Sequence, residues 1–220
     1  TVGDLVFGMA ASAQPVTLAG RTIRLEPMAR EHLGALAEVA FDPEIFRWFT
    51  VRMDTRADLE RWVDDALAAQ RAGTALPFAT VLLDGNRVIG STRFMNISVR
   101  DGRYEIGSTW VAPAWQRSVV NTEAKYLMLR HAFETLGARR VELKTHERND
   151  KSRRAIERLG AQYEGMHRNH MLMPDGSTKH IHVVAHATED SAGELEYVGA
   201  LMDVSATKRA EEDLHRMQAE

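Results

Sequence analysis

Between Tyr104 and Lys125 an extended segment runs through a proline-containing loop straight into a helix, and this junction constrains the chain more than any other stretch. Arg103–Val111 carries the β-branched and aromatic residues of a strand. Pro113 has no N–H to give to a sheet ladder, so pairing is expected to loosen beside it. A helix is predicted over 122–136, with Asn121 as its N-cap, Glu123 in its first turn and Gly137 past its end. Leu129, Ala132, Phe133 and Leu136 form its apolar stripe. The open N–H groups at such a helix start suit a phosphate group, and an unpaired strand beside them suits an extended ligand.

The flanking sequence sets the architecture. A strand is predicted over 16–27, where Ile23 and Leu25 alternate with Arg24 and Glu26, then a helix over 30–40 with Leu33, Leu36, Ala37 and Ala40 on one face. A second helix starts at Thr55, capped with Asp58 three residues on, and ends at Gly73. Strands over 78–83 and 87–97 flank Asp84-Gly85-Asn86, and Arg100-Asp101-Gly102 turns the chain into 103–111. After the helix come a strand at 139–145, a short helix at 151–159 and strands at about 161–173 and 179–187. This order gives an α/β protein with a mixed α+β sheet, not a regularly alternating doubly wound one.

Composition removes several classes of function. The 220 residues carry a formal net charge of −3, which gives no footing for sequence-independent nucleic-acid binding. There is no cysteine, which excludes disulfides, thiolate catalysis and cysteine-ligated metals. No apolar run approaches the roughly 18 residues of a membrane span. Leu5–Gln14 faintly resembles a signal-peptide cleavage region, but Asp4 stands where a basic segment belongs. Residues 1–15 are expected to be a disordered leader, and the cytoplasm is the default location.

Several motifs then occur in order: Arg24-Leu25-Glu26-Pro27, Val88-Ile89-Gly90-Ser91-Thr92, Glu105-Ile106-Gly107, Trp115-Gln116 with Asn121-Thr122-Glu123-Ala124-Lys125, and Asn149 to Ser152 followed by Arg154-Ala155-Ile156 and Leu159-Gly160-Ala161. With these the chain resembles the GNAT-type N-acetyltransferases over about residues 16–172, in particular the branch of ribosomal-protein N-terminal acetyltransferases. The resemblance implies the GNAT acyl-CoA N-acyltransferase fold over 16–187, with acetyl-CoA between the strands at 104–111 and 139–145. Backbone of Trp110 and Val111 would hold the pantetheine. Gln116, Arg117, Ser118, Val119, Val120, Asn121 and Thr122 would cradle the pyrophosphate, and Asn149 and Ser152 would reach the pantetheine and the sulfur. The widespread family loop carries glycines that Gln116–Asn121 lacks. Val119 therefore threatens the close approach of backbone to phosphate, and Arg117 offsets this by charge.

The implied reaction is direct transfer of an acetyl group to a primary amine of a small molecule or a protein N-terminus. Glu105 is the candidate base, against the plainer reading of a solvated strand carboxylate or an ion-pair partner. Ser152 is the candidate proton donor to sulfur, against a helix-start hydroxyl bonding backbone. Trp48 and Phe49 either border the acceptor pocket or pack in the core. His180, His182 and His186 share a strand face, with His167 and His170 on the strand before. A zinc site there lacks cysteine and matching carboxylates, so a polar sheet face and no metal is the expectation.

From about Met173 the sequence also resembles the end of PAS sensor domains, through Met173-Pro174-Asp175-Gly176-Ser177, His180-Ile181-His182-Val183-Val184, Gly193–Val204 and Lys208–Glu212. Residues 188–220 are expected to add a strand at 194–204 and a signalling-type helix at 206–220. Thr207, Ala210, Leu214 and Met217 on that helix make either a coiled-coil seam for a homodimer or an amphipathic face docked on the domain. The alternative to an enzyme is a non-catalytic acyl-CoA-binding or dimerising sensor module.

Overall fold

A computed structural model describes residues 14–146, 149–161, 163–174, 176, 178–189 and 195–203. Its centre is an antiparallel meander: β1 (Leu18–Ala19), β2 (Ile23–Pro27), β3 (Leu76–Leu82), β4 (Arg87–Ser98) and β5 (Arg103–Val111). Three helices intervene between β2 and β3, namely α1 (Leu33–Ala37), α2 (Pro43–Phe46) and α3 (Arg56–Arg71). After β5 come α4 (Val119–Arg130), β6 (Arg140–Thr145), α5 (Asp150–Glu157) and the strands β7 (Tyr163–Leu172), β8 (Thr178–Glu189) and β9 (Leu195–Asp203). The described strands form one mixed sheet in the order β1-β2-β3-β4-β5-β6-β9-β8-β7.

Both faces of the sheet are covered. On one face α1, α2 and α3 close a cluster built on Leu36, Phe46, Leu59, Trp62, Val63 and Trp110. On the other, α4 and α5 close a larger one built on Ile23, Phe78, Phe94, Tyr104, Leu127, Met128 and Ile156. A strand buried on two faces has no reason to alternate, and every residue of β3 is buried. α3 follows its predicted signals closely: Thr55 caps it in a reciprocal box with Asp58, and Gly73 leaves it at φ 71°.

Four sequence expectations shift. The strand expected over 16–27 is broken by a turn at Gly20, between β1 and β2. The expected helix over 30–40 is a 3-10 turn at Arg30–His32 followed by the five residues of α1. α2 was not expected; Asp42 caps it, its carboxylate accepting the Glu44 N–H at 2.9 Å, and Pro43 supplies a preset φ at the first helical position. α4 begins three residues before the expected start. Its N-cap is Ser118, whose hydroxyl accepts the Val120 N–H at 3.3 Å, so Asn121 lies inside the helix. The far end of that helix widens into a π-type turn over His131–Thr135, which shifts the phase of the buried stripe. Val120, Ala124, Leu127, Met128 and Ala132 are buried, while Leu129 and Phe133 only flank the core.

Beyond β6, β7 and β8 form an antiparallel hairpin, and β9 lies between β6 and β8, parallel to the first and antiparallel to the second. The strand expected at 194–204 is therefore inside the sheet, and β8 joins β6 only through it. The expected helix at 206–220 and residues 1–13 of the leader expected over 1–15 lie outside the described residues.

Candidate active site

The site starts where two parallel strands part. β5 and β6 pair from Arg103 with Arg140 up to Ile106 with Leu143, and no further. β5 continues along β4, with Gly107 opposite Arg93, then an irregularity, then Trp110 opposite Ser91 and Val111 opposite Gly90. The extra residue falls at Ser108-Thr109, and Ser108 takes φ +46°, a conformation uncommon for a residue with a Cβ. The bulge turns β5 away from β6 while keeping it on β4. Gly90 supports this contact: a Cβ there would meet the Trp110 carbonyl oxygen at 2.2 Å. This accounts for the glycine in Val88-Ile89-Gly90-Ser91-Thr92.

The parted strands open a cleft of about 1030 Å³, and α4 and α5 point their N-terminal turns into it. Gln116, Arg117, Ser118, Asn121 and Thr122 line one wall; Asn149, Asp150, Lys151, Ser152, Arg154 and Arg158 line another. The chain at Gln116-Arg117-Ser118 turns without glycine because Arg117 itself adopts φ +58°. Val119, expected to crowd this loop, instead turns outward and is 61 % exposed. Val120 turns inward and is buried in the core, and neither valine lines the cleft. The missing glycines therefore do not plug the cleft.

Other expected ligand contacts already have partners. The Val111 carbonyl accepts the Gln116 side-chain N–H at 3.1 Å, and the Gln116 Oε1 accepts from Lys151 Nζ at 3.5 Å. Gln116 thus fastens the end of β5 to the start of α5. Trp110 is buried against Phe46 and Trp62, so only its backbone is available to the cleft edge. Asn149 caps α5, its Oδ1 accepting the Ser152 N–H at 3.2 Å.

Glu105 lines the cleft but is 2 % exposed and paired. Its Oε2 lies 2.6 Å from Lys144 Nζ and accepts from Asn96 Nδ2 at 2.6 Å. The plainer of the two sequence readings, an ion-pair partner, is thus what the geometry displays, at a position that still borders the cleft. Trp48 also borders it and packs on His146 with the rings tilted and their centroids 4.4 Å apart. Phe49 borders it too but packs on Phe46 at 4.9 Å. The side chains of His167, His170, His180, His182 and His186 lie outside the described residues; among the described ones no group of three potential metal ligands occurs.

Lys125 was missed as a site residue. It lines the cleft from α4, yet its side chain sits in the buried layer. Its Nζ donates to Thr109 Oγ1 at 2.6 Å and to Thr92 Oγ1 at 3.4 Å, and the two hydroxyls lie 2.7 Å apart. Burial alone pushes this amine down to about 7. The signal was present in the sequence: a lysine one position after Ala124 and three before Met128 falls on the inward stripe of the helix.

Parted strands beside a helix N-terminus, with Arg117 and Lys151 in the lining, suit an extended ligand that carries phosphate. The chain belongs to the GNAT acetyltransferase family: residues 22–162 match the acetyltransferase (GNAT) domain. It is 25% identical over 158 residues to the uncharacterized N-acetyltransferase p20 of Bacillus licheniformis, covering 70% of this chain and 86% of that one. A GCN5-related N-acetyltransferase from Brucella melitensis superposes with a TM-score of 0.70 at 32% identity, covering 77% of each chain. Mycobacterium smegmatis RimJ, solved with CoA-disulfide, shares the fold with a TM-score of 0.67 at 21% identity, covering 83% of this chain and 94% of that one. The protein is an N-acetyltransferase. No helix among the described residues is long and apolar enough to cross a membrane.

Proposed function

We propose that the protein acetylates a primary amine, of a small molecule or a peptide N-terminus, by direct transfer within the cleft between β5 and β6. The observation that carries this reading is the separation of β5 from β6 after Ile106, next to the N-terminus of α4. Acetyl-CoA supplies an activated acyl group as a thioester. Arg117, the amides of Ser118 to Thr122 and Lys151 would hold its phosphates, and the backbone of Ser108 to Val111 and Asn149 would align its pantetheine. RimJ of the shared fold, in complex with CoA-disulfide, supports this use of the cleft.

The acceptor would enter on the side of α2, where Trp48, Phe49 and Glu105 border the cleft. An ammonium has no lone pair, so it must lose a proton before attack, and Glu105 takes that proton directly or through water. Lys144 and Asn96 hold the Glu105 carboxylate in place for this task. Ser152, in the first turn of α5 on the opposite wall, bonds the departing sulfur. Amides at the β5 bulge are suited to hold the oxygen that becomes negative during attack.

The test is calorimetry with CoA and acetyl-CoA, followed by thiol release with a panel of amines and N-terminal peptides. Binding with amine-dependent thiol release is the expected result. Binding with no turnover on any amine overturns the catalytic reading and leaves the non-catalytic acyl-CoA-binding module in its place.

A further inference from the structure

The least explained group in the site is Lys125. A buried ammonium is costly unless it is paired, yet among the described residues no carboxylate forms an ion pair with it. Its partners are two threonine hydroxyls. Thr92 on β4 is fully buried, its hydroxyl 2.7 Å from that of Thr109 and 3.5 Å from Met128 Sδ. Thr109 stands at the β5 bulge, and both Thr109 and Lys125 line the cleft. A lysine kept purely to fill space needs neither the hydroxyls nor the opening.

The surroundings of Nζ are specific. On α4, Glu123 is turned away to the β1–β2 turn. On β5, Glu105 is engaged by Lys144 and Asn96. Across the cleft α5 presents Asp150, Lys151, Ser152 and Arg154, with Arg158 at its C-terminal end. No group facing Nζ from β4 or β5 neutralises its charge, so the amine keeps or sheds its proton according to the polarity of the cleft beside it.

We propose that Lys125 is a positioning residue that stores the proton needed by the leaving thiol and delivers it through the Thr109 hydroxyl. The proposal rests on the acetyltransfer reading. Atoms balance as follows. The amine nitrogen of the acceptor forms its bond to the acyl carbon while the carbon–sulfur bond breaks with its electron pair on sulfur. The Thr109 hydroxyl proton passes to that sulfur, and one Lys125 N–H proton passes to the Thr109 oxygen. Lys125, now a neutral amine, regains a proton from solvent after the products leave. Ammonium and neutral amine are close in energy at Lys125, near pH 7, so neither direction of this cycle faces a large penalty.

The experiment has two arms that fail separately from the acetyltransfer reading. In the free protein, lysine side chains labelled at Cε are titrated by NMR, with Lys125→Met identifying the resonance. One resonance, absent in that variant, is expected to titrate near pH 7, and to titrate differently in Thr109→Val, which removes its hydroxyl partner. A Lys125 resonance that titrates in the ordinary lysine range overturns the proposal. In the second arm, single-turnover thiol release is compared in Thr109→Val and Thr109→Ser. Thr109→Val is expected to slow release by about a hundredfold, the lower end of the range for a general-acid function, with acetyl-CoA affinity little changed, and Thr109→Ser to restore it. Equal rates in the two variants overturn the relay, whereas loss of acetyl-CoA binding in the wild type overturns the function beneath it.

Discussion

Lys144 Nζ sits 2.6 Å from Glu105 Oε2, one residue past Leu143, the last position at which β6 still pairs with β5. The ion pair closes the vertex of the cleft, and its side chains are 15 % and 3 % exposed. Glu105→Gln keeps the shape and the bond to Asn96 but leaves Lys144 with a shielded, unpaired charge. Removing one partner of a buried pair costs about 3–5 kcal/mol; the residual exposure of Lys144 places the expected loss at the lower end. Thermal unfolding checks it. Amine-dependent turnover should fall by about 10²–10⁴-fold, the range for a general base, with CoA binding retained. A variant that is destabilised but fully active shows that Glu105 is structural only.

How much of this was legible in the chain differs by element. β5 was read with its observed bounds, because its alternation ends at a proline and both constraints are local. Thr55 and Asp58 were read as a cap for the same reason. The start of α4 was misread because Ser118 and Asn121 are both good caps, and only the left-handed Arg117 before Ser118 decides between them. The Glu105 pair was invisible because Lys144 reaches it from another strand. Lys125 was hidden inside a motif that was read for phosphate binding, although its place on the inward face of the helix was readable.

The choice of cap can be measured. Ser118→Ala removes the hydroxyl that accepts the Val120 N–H and should cost about 1 kcal/mol. Asn121→Ala, now inside the helix, should cost little or be neutral in stability, since alanine is the better helix former. Chemical denaturation of both variants distinguishes them, and the reverse order would return the cap to Asn121.

Arg117 holds φ +58° where a glycine would fit without strain. Arg117→Gly and Arg117→Ala both remove the charge, so both should weaken CoA binding by a similar factor. Only the glycine variant relieves the backbone. It should unfold about 1 kcal/mol later than the alanine variant, the cost of the left-handed conformation for a residue with a Cβ. Parallel calorimetry and melting curves separate charge from conformation.

Glu123 ties α4 to the β1–β2 turn, its carboxylate accepting the N–H groups of Arg21, Thr22 and Ile23 at 2.5, 3.0 and 3.0 Å. Gly20 leaves room for it, because a Cβ there would meet Glu123 Cδ at 2.7 Å. Gly20→Ala and Glu123→Ala should each destabilise, and the double variant should lose less than their sum, since the clash with Glu123 vanishes with its side chain while that with the Ile23 carbonyl oxygen at 2.8 Å stays. Burial opposes ionisation of Glu123, but the three backbone bonds together hold its carboxyl below the usual value of 4.5. A depressed carboxyl contributes stability above its unfolded value that is lost as pH falls through the folded one. Wild-type stability should therefore decline below about pH 4.5 more steeply than that of Glu123→Gln.

Lys125 gives a slope of the same sign at higher pH. Its amine is pushed by burial from 10.5 down to about 7. Between those values the unfolded chain binds a proton that the folded protein does not, so stability rises with pH across that window. Below pH 7 both states are charged, and the folded state carries the full cost of a buried ammonium. Lys125→Met fills the same space without a charge. It should be more stable than the wild type below pH 7, and that advantage should shrink as pH climbs toward the ordinary lysine range. Denaturant midpoints measured across this window check the sign. An advantage for Lys125→Met that stays constant with pH means that the folded and unfolded lysine titrate alike, and that Nζ reaches water in solution.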